Sequence, residues 1–256
     1  KKVLVDARQI SEEIWKAVEN PSRFPNLTTD ADVAMLAHKA SERHRDNPSE
    51  TIYSAQVGSL GSLLTQRLSI RSFSGASVAL QSVVNMLWSA YGELKSQEDG
   101  HSHRTVPSAG ALYPLVVHIA LFKQPGDLQP AIYSVYLGRS ESVGFRFVSD
   151  DVFRFSRAFL GHLMFGKAHG VIVISGSFRV TGEKYGNRGM LYVLLEAGHV
   201  AQNINLAAVE YDVATVEIGG FVDALLANAI NLPKHYRPLI TVVFGEKASE
   251  AQAEDS

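Results

Sequence analysis

Apolar positions recur at helical spacing in GASVALQSVVNMLWSAYGEL (75–94), where Val83, Leu87 and Tyr91 share a stripe that Val84 and Trp88 widen. The pattern predicts a buried helix. A polar loop, SQEDGHSHR (96–104), and a small-residue turn, PSAGALYP (107–114), follow it. Runs rich in Val, Ile, Tyr and Phe at 115–123, 131–137 and 143–148 predict strands. DDVFRFSRAFLGHLMFG (150–166) returns to helical spacing, and GVIVISG (170–176) reads as a short buried strand bounded by glycines. The longest helical signal is GMLYVLLEAGHVAQNINLAAVEYD (189–212). VATVEIGG (213–220) predicts a strand, FVDALLANAIN (221–231) a short helix stopped by Pro233, and PLITVVFGE (238–246) a last strand. Helices mixed with hairpin-like strands predict an α+β domain rather than a regular βαβ wind.

Residues 1–60 are polar and carry only thin apolar faces, so they are expected to form an arm that packs on the body or on a partner. Residues 61–247 form the expected single domain, and the small, acidic tail ASEAQAEDS (248–256) is expected to be disordered. The chain starts at Lys1 with no signal-peptide pattern, which predicts a trimmed start.

Composition narrows the chemistry. The 256 residues are 46% hydrophobic, and 24 basic against 26 acidic residues leave a formal charge of -2, which gives no reason to expect a nucleic-acid partner. Zero cysteines exclude disulfides, thiolate metal sites and a cysteine nucleophile, and they fit a cytoplasmic protein. The longest apolar runs, such as LVVHIALF (115–122), fall well short of the roughly 20 residues that span a bilayer, so no membrane segment is expected.

Several short segments could carry chemistry. In RLSIRSF (67–73), an extended chain would put Arg67, Ser69 and Arg71 on one side, and a helix N-terminus near Ser74–Ala76 would add free amides. Together these describe a phosphate cradle; a solvated edge strand capped by Ser74 is the equal alternative. PSAGALYP reads either as backbone bare enough for a flat ligand or as an ordinary turn. EIGGF (217–221) puts two glycines at a strand end, as a ligand crevice or a plain strand-to-helix turn would.

In KYGNRG (184–189), Lys184 stands beside Tyr185. A nearby cation lowers a tyrosine pKa and burial lowers a lysine pKa, so the pair reads as a proton acceptor if buried, or as an idle pair in a solvated loop. Glu196, His199, Gln202 and Asn203 interrupt the long apolar helix, and Glu196, His199 and Asn203 can share one face. They predict a buried hydrogen-bonded seam; a metal site would need a third ligand that the sequence does not supply. His101 and His103 are expected to be solvated. There is no G-x-S-x-G, H-E-x-x-H, Walker or G-x-G-x-x-G pattern, which removes the common hydrolase and nucleotide-triphosphate chemistries.

The ordered set RLSIRSF, PSAGALYPL, KYGNRGMLYVLLEAGHVAQN and EIGGF, spanning about Arg67 to Lys247, resembles the nitroreductase superfamily, and within it the SagB-type dehydrogenase branch that includes peptide azoline dehydrogenases. The resemblance implies a nitroreductase-like α+β fold, a mostly antiparallel central sheet flanked by helices, and a homodimer with FMN at the subunit interface. Carried onto this sequence, it implies that Arg67, Ser69 and Arg71 hold the FMN phosphate, ribityl chain and N1/O2 side. Pro107, Ser108, Ala109 and Gly110 would pack on the flavin of the other subunit, Gly219 and Gly220 would face N5, and Gln202 and Lys247 would complete the cofactor site.

The resemblance further implies that Lys184 and Tyr185 supply the base for oxidation of thiazoline or oxazoline rings in a ribosomally made peptide. The implied partners are an azoline-containing precursor peptide and the cyclodehydratase subunits of a synthetase. A nitro- or quinone-reducing enzyme using a nicotinamide, or a non-catalytic scaffold, are the alternatives. One departure stands out: Lys247 is the one basic residue after VVFGE placed to complete a phosphate site.

Overall fold

A computed structural model describes residues 57–94, 103–159 and 165–249. Most of the expected arm and residues 250–256 of the expected tail lie outside the described residues. The expected boundary at residue 60 falls inside α1 (Ser59–Gln66), the first helix among the described residues.

Six strands form one sheet: β1 (Leu115–Leu121), β2 (Ile132–Leu137), β3 (Val143–Ser149), β4 (Gly170–Gly176), β5 (Ala214–Ile218) and β6 (Arg237–Gly245). Their order is β3-β2-β1-β4-β6-β5, and every pair is antiparallel. β4 is flanked on both sides and covered on both faces, so all seven of its residues are buried. This explains its uninterrupted Val/Ile run, which has no polar alternation because it has no wet face.

Two helices cover one face, α2 (Leu80–Tyr91) and the 23-residue α5 (Arg188–Glu210). Val83, Met86 and Leu87 of α2 and Val193, Val200 and Ile204 of α5 pack on Val117, Ile119, Ile172 and Ile174. The opposite face carries Val171, Val173, Val216 and Val243 against Phe155 of α3 (Val152–Ser156) and Leu226 of α6 (Asp223–Ala229).

Three elements depart from the sequence pattern. α2 begins at Leu80 rather than near residue 75, because the preceding amides are engaged elsewhere: Ser74 N–H donates to Glu246 O and Val78 N–H to His169 Nδ1. Within the helical spacing at 150–166 the described residues form one α-helix of five residues, and Phe159 then bridges to Phe221. Lys184 and Tyr185 do not lie in a loop; they end a helix, α4 (Phe178–Tyr185), closed by Gly186 at φ 57°. α4 folds back on α5 so tightly that a Cβ on Gly189 would lie 2.7 Å from the Thr181 carbonyl carbon. Thr181 Oγ1 donates across this gap to Gly189 O at 3.1 Å.

Candidate active site

Two groups of the singled-out residues emerge, both bordering the sheet. The first gathers around the turn before β1. Gly110 has φ 64°, and Ala111 (53°) and Tyr113 (45°) also lie in the left-handed region, where non-glycine residues cost roughly 1–2 kcal/mol each. A Cβ added to Gly110 would sit 2.6 Å from Tyr185 Oη and 2.7 Å from Lys184 Nζ. The head groups of both residues at the end of α4 therefore meet over bare backbone, and a side chain at position 110 would push them aside. Lys184 Nζ lies 5.4 Å from the Tyr185 ring centroid, and the Tyr192 ring stands edge-on to Tyr185 at 5.1 Å. Lys184 is exposed and Tyr185 half-buried, so the burial expected of this lysine is not found within the chain.

The strained turn is anchored from below. Ser108 Oγ accepts from Tyr113 N–H at 2.9 Å and donates to Glu196 Oε2 at 2.6 Å. Tyr91 Oη donates to Glu196 Oε1 at 2.6 Å. Glu196 is 2% exposed; burial pushes its carboxyl above the usual range, opposed by the hydrogen bonds from Ser108 and Tyr91 and by the charge of Arg104. Burial also drives the Tyr91 phenol upward, and the neighbouring Glu196 charge adds to it. The Arg104 guanidinium stacks 4.6 Å over the Tyr91 ring and donates to the Tyr91 and Leu137 carbonyls.

The second group follows β5. The Arg67–Phe73 segment forms no strand there, but Ile70 N–H donates to Thr215 O, and Phe73 bridges Lys247. Ala248 N–H donates to Ser72 O, so folded chain continues past Lys247. Arg71 and Lys247 lie at one end of β5, Gly219 and Gly220 at the other. Arg67 is half-buried, while Ser69, Arg71, Lys247 and both glycines are exposed. No heavy atom lies within 4 Å of a Cβ position on Gly219 or Gly220. The free amides expected near Ser74–Ala76 are absent from the cradle: Ser74 Oγ donates to the Glu246 carboxylate and accepts from Ala76 N–H.

Half-buried Gln202 lies one turn before Asn205 on α5, and Asn205 Nδ2 donates to Glu217 while its Oδ1 accepts from Thr215 Oγ1. The polar seam expected on α5 holds for Glu196 and for Asn203, whose Nδ2 donates to Ser89 O, but His199 is exposed and outside it. His103 is half-buried rather than solvated, and His101 lies outside the described residues. Among the described residues no cluster suited to a metal ion occurs.

Sequence reasoning missed three residues of the first group. Tyr91 reads as part of the apolar stripe of α2, and its hydroxyl comes into view only where α2 faces Glu196 of α5. Arg104 and Tyr192 carried no local signal.

The nitroreductase family model matches residues 64–246, and the chain belongs to that family. It is 30% identical over 189 residues to a provisionally named nitroreductase of Methanocaldococcus jannaschii, covering 73% of this chain and 91% of that protein. It is 27% identical over 173 residues to the microcin B17-processing protein McbC of Escherichia coli, covering 66% of this chain and 62% of that protein's length.

Among solved structures, the fold matches a chain of the E. coli microcin synthetase McbBCD complex with truncated pro-MccB17 bound, at TM-score 0.64 and 21% identity, over 97% of this chain and 100% of that one. It also matches a Desulfovibrio desulfuricans nitroreductase-family protein in complex with FMN, at TM-score 0.53 and 16% identity, over 76% of this chain and 89% of that one. The expected α+β, nitroreductase-like architecture is the architecture found. No helix among the described residues is long and apolar enough to cross a membrane.

Proposed function

We propose that the protein is an FMN-dependent dehydrogenase that oxidises thiazoline or oxazoline rings to the aromatic azoles in a ribosomally made peptide, in the cytoplasm. The observation that carries this reading is the meeting of Lys184 Nζ and Tyr185 Oη over Gly110. Aromatising an azoline removes a proton from the α-carbon and a hydride from the β-carbon. The proton needs a base, which a nitro- or quinone-reducing enzyme does not, and Tyr185 or Lys184 fills that role. FMN supplies the acceptor for the hydride.

The residues along β5 fit FMN. Five strand residues at about 3.4 Å each separate the two ends by roughly 17 Å, which suits an elongated nucleotide. Arg71 and Lys247 offer cations to the phosphate at one end, with Arg67 and Ser69 beside them; Gly219 and Gly220 leave open space for a flat ring at the other, with Gln202 alongside. Lys184, Tyr185 and the 107–110 turn form a separate group in the chain, and a homodimer unites the two groups across its interface.

Six exposed leucines support that dimer: Leu191, Leu194 and Leu195 on α5, and Leu60, Leu64 and Leu68 on or just after α1, which packs against α5. The likeness to McbC and to the McbBCD complex supports a synthetase setting, with an azoline-containing precursor peptide as substrate and cyclodehydratase subunits as partners.

The test is mass spectrometry of an azoline peptide incubated with the FMN-loaded protein. Loss of two hydrogens per ring is expected, and Lys184→Ala with Tyr185→Phe is expected to cut it to a small residual rate while the visible flavin bands persist. An unmodified peptide together with nicotinamide-driven nitro or quinone reduction would instead make the protein a reductase.

A further inference from the structure

A carboxylate 98% shielded from water, packed between Val193, Ala197 and Val200 on α5, requires a reason beyond packing. Burying such a charge costs several kcal/mol unless its hydrogen bonds are complete. Glu196 receives two, both from hydroxyls: Tyr91 Oη and Ser108 Oγ, each at 2.6 Å.

The direction of these bonds is fixed by chemistry. Ser108 Oγ already accepts from Tyr113 N–H, so its single proton must go to an acceptor. Tyr91 is 2% exposed and its proton also goes to the carboxylate. Only a group that accepts on both oxygens satisfies both donors. A glutamine of the same shape would turn its NH₂ toward one of them and leave a hydroxyl proton, on buried Tyr91 or half-buried Ser108, without its partner.

Ser108 and Tyr113 bracket the turn in which Gly110 and Ala111 are held left-handed. Gly110 in turn is the surface against which Lys184 Nζ and Tyr185 Oη rest. One chain of contacts therefore runs from Glu196 through Ser108 and the turn to the pair of head groups. We propose that Glu196, as an acceptor-only carboxylate, is a positioning residue: it holds the 108–113 turn in its strained form and so sets the placement of Lys184 and Tyr185. This rests on the role given above to that couple, although the mechanical link does not.

The test compares wild type, Glu196→Gln and Ser108→Ala as purified full chains by amide hydrogen exchange and by azoline turnover. Both variants are expected to accelerate exchange in peptides covering 108–115 and also 178–188, with 193–210 unchanged. They are expected to lower kcat on the order of 10- to 100-fold with little change in KM. In a Lys184→Ala/Tyr185→Phe background, Glu196→Gln is expected to have no further effect on residual turnover, because the groups it places are gone.

Exchange that rises throughout α5, or that leaves 178–188 untouched, overturns the proposal by making Glu196 a core contact only; so does a multiplicative loss in the triple variant. Wild type that shows the exchange coupling but no azoline turnover refutes the proposed activity and leaves the positioning role standing. Ser108→Ala guards against misfolding of Glu196→Gln, since it cuts the same link without altering the buried charge.

Discussion

Gly110 lies directly beneath Tyr185 Oη: a side chain there would begin 2.6 Å from the phenol oxygen. Gly110→Ala is therefore expected to fold, to lose about 1 kcal/mol from its left-handed φ, and to lower Tm by a few degrees. The larger effect is expected in azole formation, down on the order of 100-fold as the two head groups are displaced. Turnover within twofold of wild type would separate this glycine from the reaction.

Gly189→Ala tests the α4–α5 hairpin. The new methyl would meet Thr181 backbone at 2.7–2.8 Å, and backbone cannot swing aside as a flexible side chain can. A loss of about 1–3 kcal/mol in urea unfolding is expected. Gly186→Ala meets nothing within 4 Å but must adopt φ 57° and ψ -141°, a region that glycine alone enters freely, so strain by itself is expected to cost about 1–3 kcal/mol. A Gly189→Ala loss below about 0.5 kcal/mol would show that close approach to Thr181 does not govern the hairpin.

Buried histidines predict acid sensitivity. Burial holds His118 and His169 down to about 4, with Arg146 and Lys123 respectively adding to it. Between pH 6.5 and 4 the unfolded chain binds protons that the native histidines refuse, so stability is full above pH 6.5 and falls as the pH drops toward 4. At pH 5 this amounts to roughly 2 kcal/mol per histidine. Glu196 works with the opposite sign, its raised carboxyl costing stability as the pH rises past the unfolded value. Urea unfolding at pH 7.5 and pH 5 isolates the histidine share when wild type is compared with His118→Asn; an unchanged pH dependence in the variant counts against it.

Loss of a cation at the Arg71–Lys247 end of β5, where the proposed FMN phosphate would sit, is expected to weaken FMN. Arg71→Ala or Lys247→Ala each removes a charge-assisted bond worth about 1.5 kcal/mol, hence about a tenfold higher Kd by flavin fluorescence titration. Unaltered affinity in both would move the phosphate elsewhere.

The leucine face predicts its own test. Leu194→Arg, placing a charge on a residue 47% exposed in the single chain, is expected to give a monomer by light scattering and to release FMN. A variant that remains dimeric with flavin bound would mean that the face meets something other than a second copy.

The sequence showed the strands well where burial is complete: β4 is apolar throughout because both of its faces are covered. It showed α5 because that helix has one continuous apolar stripe. It did not show α4, since Thr181 is the one buried residue in FRVTGEKY and periodicity has nothing to register. The site was legible as separate motifs and not as contacts. Gly110 and Lys184 stand 74 positions apart, and only the antiparallel pairing of β1 with β4 brings the turn before one strand to the helix after the other. Glu196 was visible as a polar interruption, while the hydroxyl that meets it belongs to a tyrosine counted as grease.

α5 is a single rod bearing two fasteners: Glu196 holds the turn below the head groups, and Asn205 holds β5 through Thr215 and Glu217. Nine residues of helix fix their separation at about 14 Å. One inserted residue between them would swing either fastener by about 100° relative to the other. Natural variation in length should therefore gather in the connecting loops and spare this stretch of helix, whose residue count acts as the gauge for the distance between the Lys184–Tyr185 couple and β5.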